Sequence, residues 1–446
     1  MRFASILLLL PLSHSLSTPT PLKHPSTGPI SISTFNQNVQ VTYGRYPLTI
    51  TRGEGTYLFD ADENRYLDFV SGIATCALGH GNEKMREAVN NQMQKCHHIS
   101  NLYYIPPQGH LASWLVENSC GDKVFFCNSG AEANEAAIKC ARKLGGDKGI
   151  DMGVILSAKQ SFHGRTLGSL SATGQPKYHE GFTYGGSMVQ GFENFEFNSE
   201  EDLERVFRKF NKTPLWDKIR GRKRRVVGIM VEALQGEGGI KPGSPNFFKK
   251  ARQLCDESEA ILICDEVQVG MGRSGRLWGY ENLGVEPDVF TTAKALGGGV
   301  PIGAMVASGE AATALGPGQH ATTYGGNPLA CAAGLAVATE ICEKDLLTNV
   351  QKRGEQLQDG LKTLKLKNPD MISDIRGWGL LIGVELTEAC GVMAGEVVGK
   401  AMEKGLLLVP AGLRVVRFVP PLNVSEEEVS DALKMFGEAL EEAKNI

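Results

Sequence analysis

The sequence predicts an α/β protein: a large domain built on a doubly wound, mostly parallel sheet, followed by a smaller α+β domain. Three observations predict it. Strand-length apolar runs alternate with amphipathic helical stretches through the middle of the chain. One run, Ile261 to Cys264, is apolar without alternation, as a strand covered by helices on both faces must be, and it ends abruptly in Asp265 and Glu266. From about Leu346 the texture changes to a long amphipathic helix, short strands and a terminal helix.

The 446 residues, 42% hydrophobic and 22% charged, suffice for two or three domains with a sizeable core. A formal net charge of -4 gives no global attraction to nucleic acid or anionic lipid, so neither is an expected partner, although local patches still matter. Ten cysteines occur without a C-x-x-C pair or zinc spacing, which predicts reduced thiols, a reducing compartment and no metal.

Met1 to Gly53 contains no Asp or Glu, and Arg2, Lys23, Arg45 and Arg52 are its only charges apart from histidine. With the apolar run FASILLLLPL, this composition predicts an import leader over residues 1–32, removed near Ser26 to Ser33. The expected destination is the mitochondrial matrix, with the plastid stroma as the alternative, because reduced thiols fit either better than export. Residues 33–75 are assigned to a segment that packs with the small domain, 76–340 to the large domain and 341–446 to the small one.

TYLFDADENRYLDF reads as a hairpin turning at Asp60 to Asn64, and NEKMREAVNNQMQK as an amphipathic helix. KVFFCN (123–128) reads as a strand. GAEANEAAIKCARKLGG (130–146) reads as a helix with glutamates early, lysine and arginine late, and glycine at its end. GVILSA, VVGIMVEAL, AILICDEV and VFTTAKAL supply further strands, and LLTNVQKRGEQLQDGLKTL with ISDIRGWGLLIGVEL opens the small domain.

Open α/β sheets bind ligands beyond the carboxyl ends of their strands, and several chemical groups fall there. Ser129, Gly130 and Ala131 lie between a strand and a helix amino terminus, a cradle for phosphate. Phe162 and Arg165 follow GVILSA; Glu232 and Glu237 follow the next strand. Lys294, between Ala293 and a glycine run, is expected to be desolvated, which lowers its pKa and frees a nucleophilic amine. A carboxylate, a lysine, a phosphate cradle and an aromatic plate are the parts that hold pyridoxal phosphate. Lys294 is then the Schiff-base residue and Asp265 the partner of the protonated ring nitrogen. The basic run KIRGRKRRVV (218–227) lacks interleaved aromatics and fits a surface loop, while CHHIS (96–100) fits core or interface residues better than a metal site.

The stretch LICDEVQVGMGRSGRLWGYENLGVEPDVFTTAKALGGGVPIGAM, with its lysine twenty-nine positions after the aspartate (294 less 265), resembles the signature of class III, fold type I aminotransferases. The resemblance extends through RGEGTYLFDADENRYLDFVSGIA, SFHGRTLGSLSATGQPKY, TYGGNPLACAAGLA and VRFVPPLN. SNLYY (Ser100 to Tyr104) with FFCNSGAEANEAAIK is most similar to the members that act on acetylornithine. The resemblance implies a seven-stranded sheet and pyridoxal 5'-phosphate linked to Lys294, with Asp265 on the ring nitrogen and Gln268 on the phenolic oxygen. Phe162 and Val267 would sandwich the ring. Ser129, Gly130 and Ala131 would hold the phosphate with Thr323 from a second subunit, so a homodimer is implied; Glu232 and Glu266 complete the expected cofactor set. Arg165 and Thr322 would touch acetylornithine, and Arg417 would grip the carboxylate of glutamate or 2-oxoglutarate. Glu237 would mask Arg417 when no such carboxylate is present. HATTY departs from the family's usual His-Gly-Ser-Thr-Tyr at this place, although Thr322 keeps a hydroxyl. Competing readings are an ornithine or 4-aminobutyrate aminotransferase, a class III aminomutase and, from another class, a nucleic-acid-binding protein on an inactive fold.

Overall fold

A computed structural model of the chain describes residue 28 and residues 30–186 and 188–445, so nearly all of the expected 1–32 leader lies outside the described residues. Residues up to Leu48 form a unit of their own. In it, Ile32–Asn38 is a short helix started by Ser31, whose side chain accepts from Thr34 N, and the Arg45 guanidinium lies 5.0 Å from the Phe35 ring centroid.

The second unit runs from Thr49 onward. It opens with β1 (Ile50–Glu54), β2 (Tyr57–Asp60) and β3 (Arg65–Asp68). The hairpin between β2 and β3 turns where Asp60 accepts from the N–H groups of Asp62 and Asn64, both at 2.9 Å.

The central sheet contains β4 (Lys123–Cys127), β5 (Met152–Ala158), β6 (Phe192–Phe195) and β7 (Arg224–Glu232). After a small hairpin of β8 (Leu234–Gln235) and β9 (Lys241–Pro242), it continues with β10 (Ile261–Asp265), β11 (Val289–Thr292) and β12 (Gly303–Ala307). These seven strands lie in the order β4-β12-β11-β10-β7-β5-β6. Only β12 is antiparallel to its neighbours. β6 and β12 carry no pattern of their own strong enough to read in advance. β10 is buried at every position, as its unbroken apolar run requires.

The helix after β4 is Gly130–Asp147, ending one residue past the expected Gly146. Gly145 is there for packing: a Cβ on it would stand 2.5 Å from Val227 Cγ1 of β7. The helix therefore presses flat on the sheet and ends at Lys148, whose N–H returns to the last-turn carbonyls.

A further sheet holds β13 (Ile372–Trp378), β14 (Leu381–Leu386), β16 (Val409–Pro410) and β17 (Val415–Phe418), in the order β13-β14-β17-β16. β15 (Leu406–Leu407) pairs in parallel with β3, joining the C-terminal region to the segment after Thr49. Fully buried Arg273 donates from Nη1 to the carbonyls of Leu380 (3.3 Å) and Pro420, a second tie between the sheets. No helix among the described residues is long and apolar enough to cross a membrane.

Candidate active site

β10 sits between β7 and β11 with Asp265 in register with Glu232 on one side and Thr291 on the other. Three polar side chains thus meet at the carboxyl edge of the sheet, and two of them, Asp265 and Glu232, line a cavity of about 400 Å³. Its lining includes Ser129, Gly130, Ala131, Phe162, Arg165, Glu232, Glu237, Asp265, Val267, Gln268 and Lys294, all expected from the sequence, together with Thr75 and Asn128.

Lys294 follows β11 and takes a left-handed backbone conformation, φ 41°, which only a well-determined surrounding sustains in a non-glycine residue. Burial pushes its pKa down to about 8, and the nearby Arg417 cation acts in the same direction. Ser129 caps the helix by accepting from Glu132 N at 3.2 Å, leaving the first-turn N–H groups of Gly130 and Ala131 ahead of any intrahelical partner. Gly130 is required here, since a Cβ on it would come within 2.7 Å of Val267 Cγ1.

Asp265 is held by two residues that sequence reasoning missed. Its Oδ2 accepts from Asn134 Nδ2 and lies against His163 Nδ1, both at 2.8 Å, while Oδ1 accepts from Val267 N at 3.0 Å. Asn134 also donates to the His163 carbonyl at 2.7 Å and accepts from Thr291 Oγ1 at 2.7 Å. The available signals were Asn134 one helical turn after Gly130, and a histidine directly after Phe162. Beside Asp265, Glu232 accepts from Phe162 N at 3.2 Å, and burial together with the Asp265 charge holds its pKa well above the ordinary carboxylate range.

Arg417, 1% exposed on β17, reaches the cavity through its partners. Its Nη1 donates to Glu237 Oε1 at 2.7 Å and to Gln268 Oε1 at 2.9 Å. Burial pushes the Glu237 carboxyl up, but the Arg417 guanidinium outweighs it and the net shift is downward, so Glu237 is a carboxylate.

One expectation is corrected. Glu266 does not face the cavity: its oxygens accept from Gly279 N at 2.7 Å and Tyr280 N at 2.8 Å on the opposite side of the sheet edge, where burial raises its pKa to about 8. Glu266 lies just past the end of β10, and the two N–H groups it holds commit its carboxylate away from the ligand that Asp265 faces. Thr322 and Thr323 lie outside the Lys294 cavity of their own chain, and for Thr323 the expectation is a role in the site of a second subunit. They line another cavity of about 760 Å³ with His98, Ser100, Asn101 and Leu102. Thr322 Oγ1 accepts from Asn128 Nδ2 at 3.2 Å, and Asn128 borders the first cavity. His98 packs on Tyr324, ring centroids 5.2 Å apart.

The aminotransferase class-III family profile matches residues 38–440. The chain belongs to this family. Among similar class-III proteins, the acetylornithine aminotransferase of Nostoc sp. is 51% identical over 416 residues, 93% of this chain and 94% of that one. That of Synechocystis sp. is 52% identical over 408 residues, 91% and 92% of the two chains. Among solved structures, ornithine aminotransferase from Toxoplasma gondii superposes with a TM-score of 0.85 at 30% identity, covering 93% of this chain and 94% of that one. N-acetylornithine aminotransferase from Stenotrophomonas maltophilia gives 0.77 at 34% identity, covering 92% and 99%.

Pyridoxal 5'-phosphate is the cofactor of the class, and the residues of this class-III chain fit it. A helix amino terminus with free N–H groups suits a phosphate, Phe162 and Val267 face the same space, a carboxylate lies at its floor and a lysine of lowered pKa stands beside it.

Proposed function

We propose that this class-III aminotransferase moves the δ-amino group of N2-acetylornithine to 2-oxoglutarate, giving N-acetylglutamate 5-semialdehyde and glutamate. The observation that carries the reading is the opposite state of two arginines. Arg165 stands exposed at the cavity wall, whereas Arg417 is buried against the Glu237 carboxylate. Such a site accepts an ω-amine donor that has one remote carboxylate for Arg165 and none for Arg417. A dicarboxylate acceptor engages both by displacing Glu237. The relatives at about 50% identity support acetylornithine as that donor.

When bound, pyridoxal phosphate supplies an electrophilic carbon for the amine and a cationic ring that takes up charge from the substrate carbon. Asp265 provides a fixed anion for the ring nitrogen, oriented by Asn134, His163 and Val267 N–H. Gln268, Phe162 and Val267 would border the ring, and Gly130 and Ala131 would offer N–H donors to the phosphate. Lys294 Nζ, with its pKa lowered to about 8, is partly neutral close to physiological pH and so can take up and hold the proton of the substrate carbon that bears the amine.

A homodimer belongs to the same proposal. Leu102, 87% exposed, and Tyr324, 64% exposed, are large apolar side chains near the threonine cavity, a surface that suits a second copy. Mixing inactive Lys294→Ala and Thr323→Ala chains should restore activity if Thr323 serves the neighbouring site. Import into an organelle is likewise a proposal; the cyanobacterial relatives weigh toward a plastid, and nothing among them favours a mitochondrion. A fluorescent fusion of residues 1–48 tests it.

Assaying purified holoenzyme with acetylornithine, ornithine and 4-aminobutyrate, each with 2-oxoglutarate, tests the substrate. Acetylornithine should give the highest kcat/KM; a preference for ornithine or 4-aminobutyrate would overturn the reading.

A further inference from the structure

Arg165 is held in an unusual way for a carboxylate-reading cation. Among the described residues it has no acidic partner and no side-chain hydrogen bond, and its guanidinium carbon lies 4.0 Å from the Tyr178 ring centroid and 5.4 Å from that of Phe162. The two rings meet edge to face, centroids 5.8 Å apart at 82°.

Tyr178 is firmly mounted. It ends the short 3-10 turn Pro176–Tyr178. On one flank Gln175, 3% exposed, donates from Nε2 to the carbonyls of Gln160 (3.1 Å) and Ser161 (3.2 Å), the residues just before Phe162. On the other, His179 Nε2 lies 2.9 Å and 2.8 Å from the carbonyls of Leu170 and Thr173. The turn is thus pinned to the same segment that carries Phe162 and Arg165.

We propose that Tyr178 is a positioning residue whose ring holds Arg165 toward the remote carboxylate that donor and acceptor both present. The inference rests on the carboxylate-reading role given to Arg165 above. A carboxylate partner would neutralise Arg165 and have to be displaced by every substrate, as Glu237 must be displaced from Arg417. An aromatic face attracts the cation through its quadrupole and brings no competing acceptor, so all five N–H donors stay free for the ligand. The chain therefore keeps one arginine closed by an acid and one open on a ring, and the difference lies in what each arginine rests against.

The test compares Tyr178→Phe, which keeps the ring, with Tyr178→Leu, which removes it, in the holoenzyme. Donors are acetylornithine and 4-acetamidobutylamine, the same molecule without its carboxylate; glutarate binding, measured by calorimetry, reads Arg165 without turnover. Tyr178→Leu should raise KM for acetylornithine and Kd for glutarate about 3- to 30-fold, with kcat changed by less than about twofold. Tyr178→Phe should stay within about twofold of wild type. The kcat/KM for 4-acetamidobutylamine should not change in either variant, which also shows that both fold. In an Arg165→Ala background the leucine substitution should add nothing further. Equal losses in the two variants would place the effect in the hydroxyl, and losses that add to those of Arg165→Ala, or that extend to the carboxylate-free donor, would overturn the proposal. If wild-type protein fails to use acetylornithine, the functional reading falls, while the glutarate measurements still decide whether Tyr178 acts through Arg165.

Discussion

Replacing Glu237 by alanine should shift the site from δ-amine donors toward α-amino acids. Arg417 is 1% exposed, and without Glu237 it retains a 2.9 Å bond to Gln268 Oε1 and a 3.4 Å bond to the Pro410 carbonyl. The lost charge-assisted bond is worth about 1.5–3 kcal/mol. In wild type the α-carboxylate of glutamate must break that bond to reach the guanidinium; in the variant no acid competes for it. An acetylornithine molecule, by contrast, leaves Arg417 buried with its charge uncompensated. The ratio of kcat/KM for glutamate to that for acetylornithine should therefore rise by about 10- to 150-fold. Single-turnover half-reactions with each donor alone measure the ratio, and a thermal melt reports separately any general loss of stability from the unpaired arginine. Glu237→Gln, which keeps an acceptor but no charge, should fall between wild type and alanine. A ratio that stays constant while both rates drop together would refute the switch and leave the pair with a structural role only.

Lys294→Ala should release pyridoxal phosphate on dialysis and turn over nothing; borohydride reduction that maps the pyridoxyl group to a different lysine in the wild type would contradict the assignment. Asp265→Asn should fold and bind cofactor yet lose several orders of magnitude in rate, because a neutral amide does not hold the ring nitrogen protonated, and near-normal turnover would argue against that role. Arg165→Ala should slow both half-reactions by about 30- to 1,000-fold, whereas Arg417→Ala should do so only for 2-oxoglutarate and glutamate. For stability, the hydrogen bond to Asp68 at 2.8 Å raises His80 from 6.5 to about 9. A raised pKa gives a contribution fully present below pH 6.5 and lost as pH climbs through 9, so wild type should lose on the order of 2 kcal/mol over that window relative to His80→Gln. Denaturant titrations at the two ends check it, and parallel pH profiles would sink the idea.

Much of the site was legible in the chain because its parts obey local rules. A strand buried on both faces admits a charge only at its end, which singles out Asp265; a lysine between small residues and a glycine run is desolvated, which singles out Lys294; and small residues opening a helix leave N–H groups free at Gly130 and Ala131. No local rule separates Glu266, one residue past the strand's end, from Asp265, and the structure shows its carboxylate holding Gly279 and Tyr280 instead. What only the tertiary structure decided depends on residues far apart in sequence. Asn134 and His163 reach Asp265 across 131 and 102 positions, and no periodicity of either segment encodes that meeting. Gly145 reads as one of the glycines that close a helix, but its packing role appears only when Val227 is placed against it. Arg165 and Arg417 are indistinguishable as letters; one rests on the ring of Tyr178 and the other against the carboxylate of Glu237, and that contrast in surroundings, set by packing between distant strands and turns, makes one cation available and the other conditional.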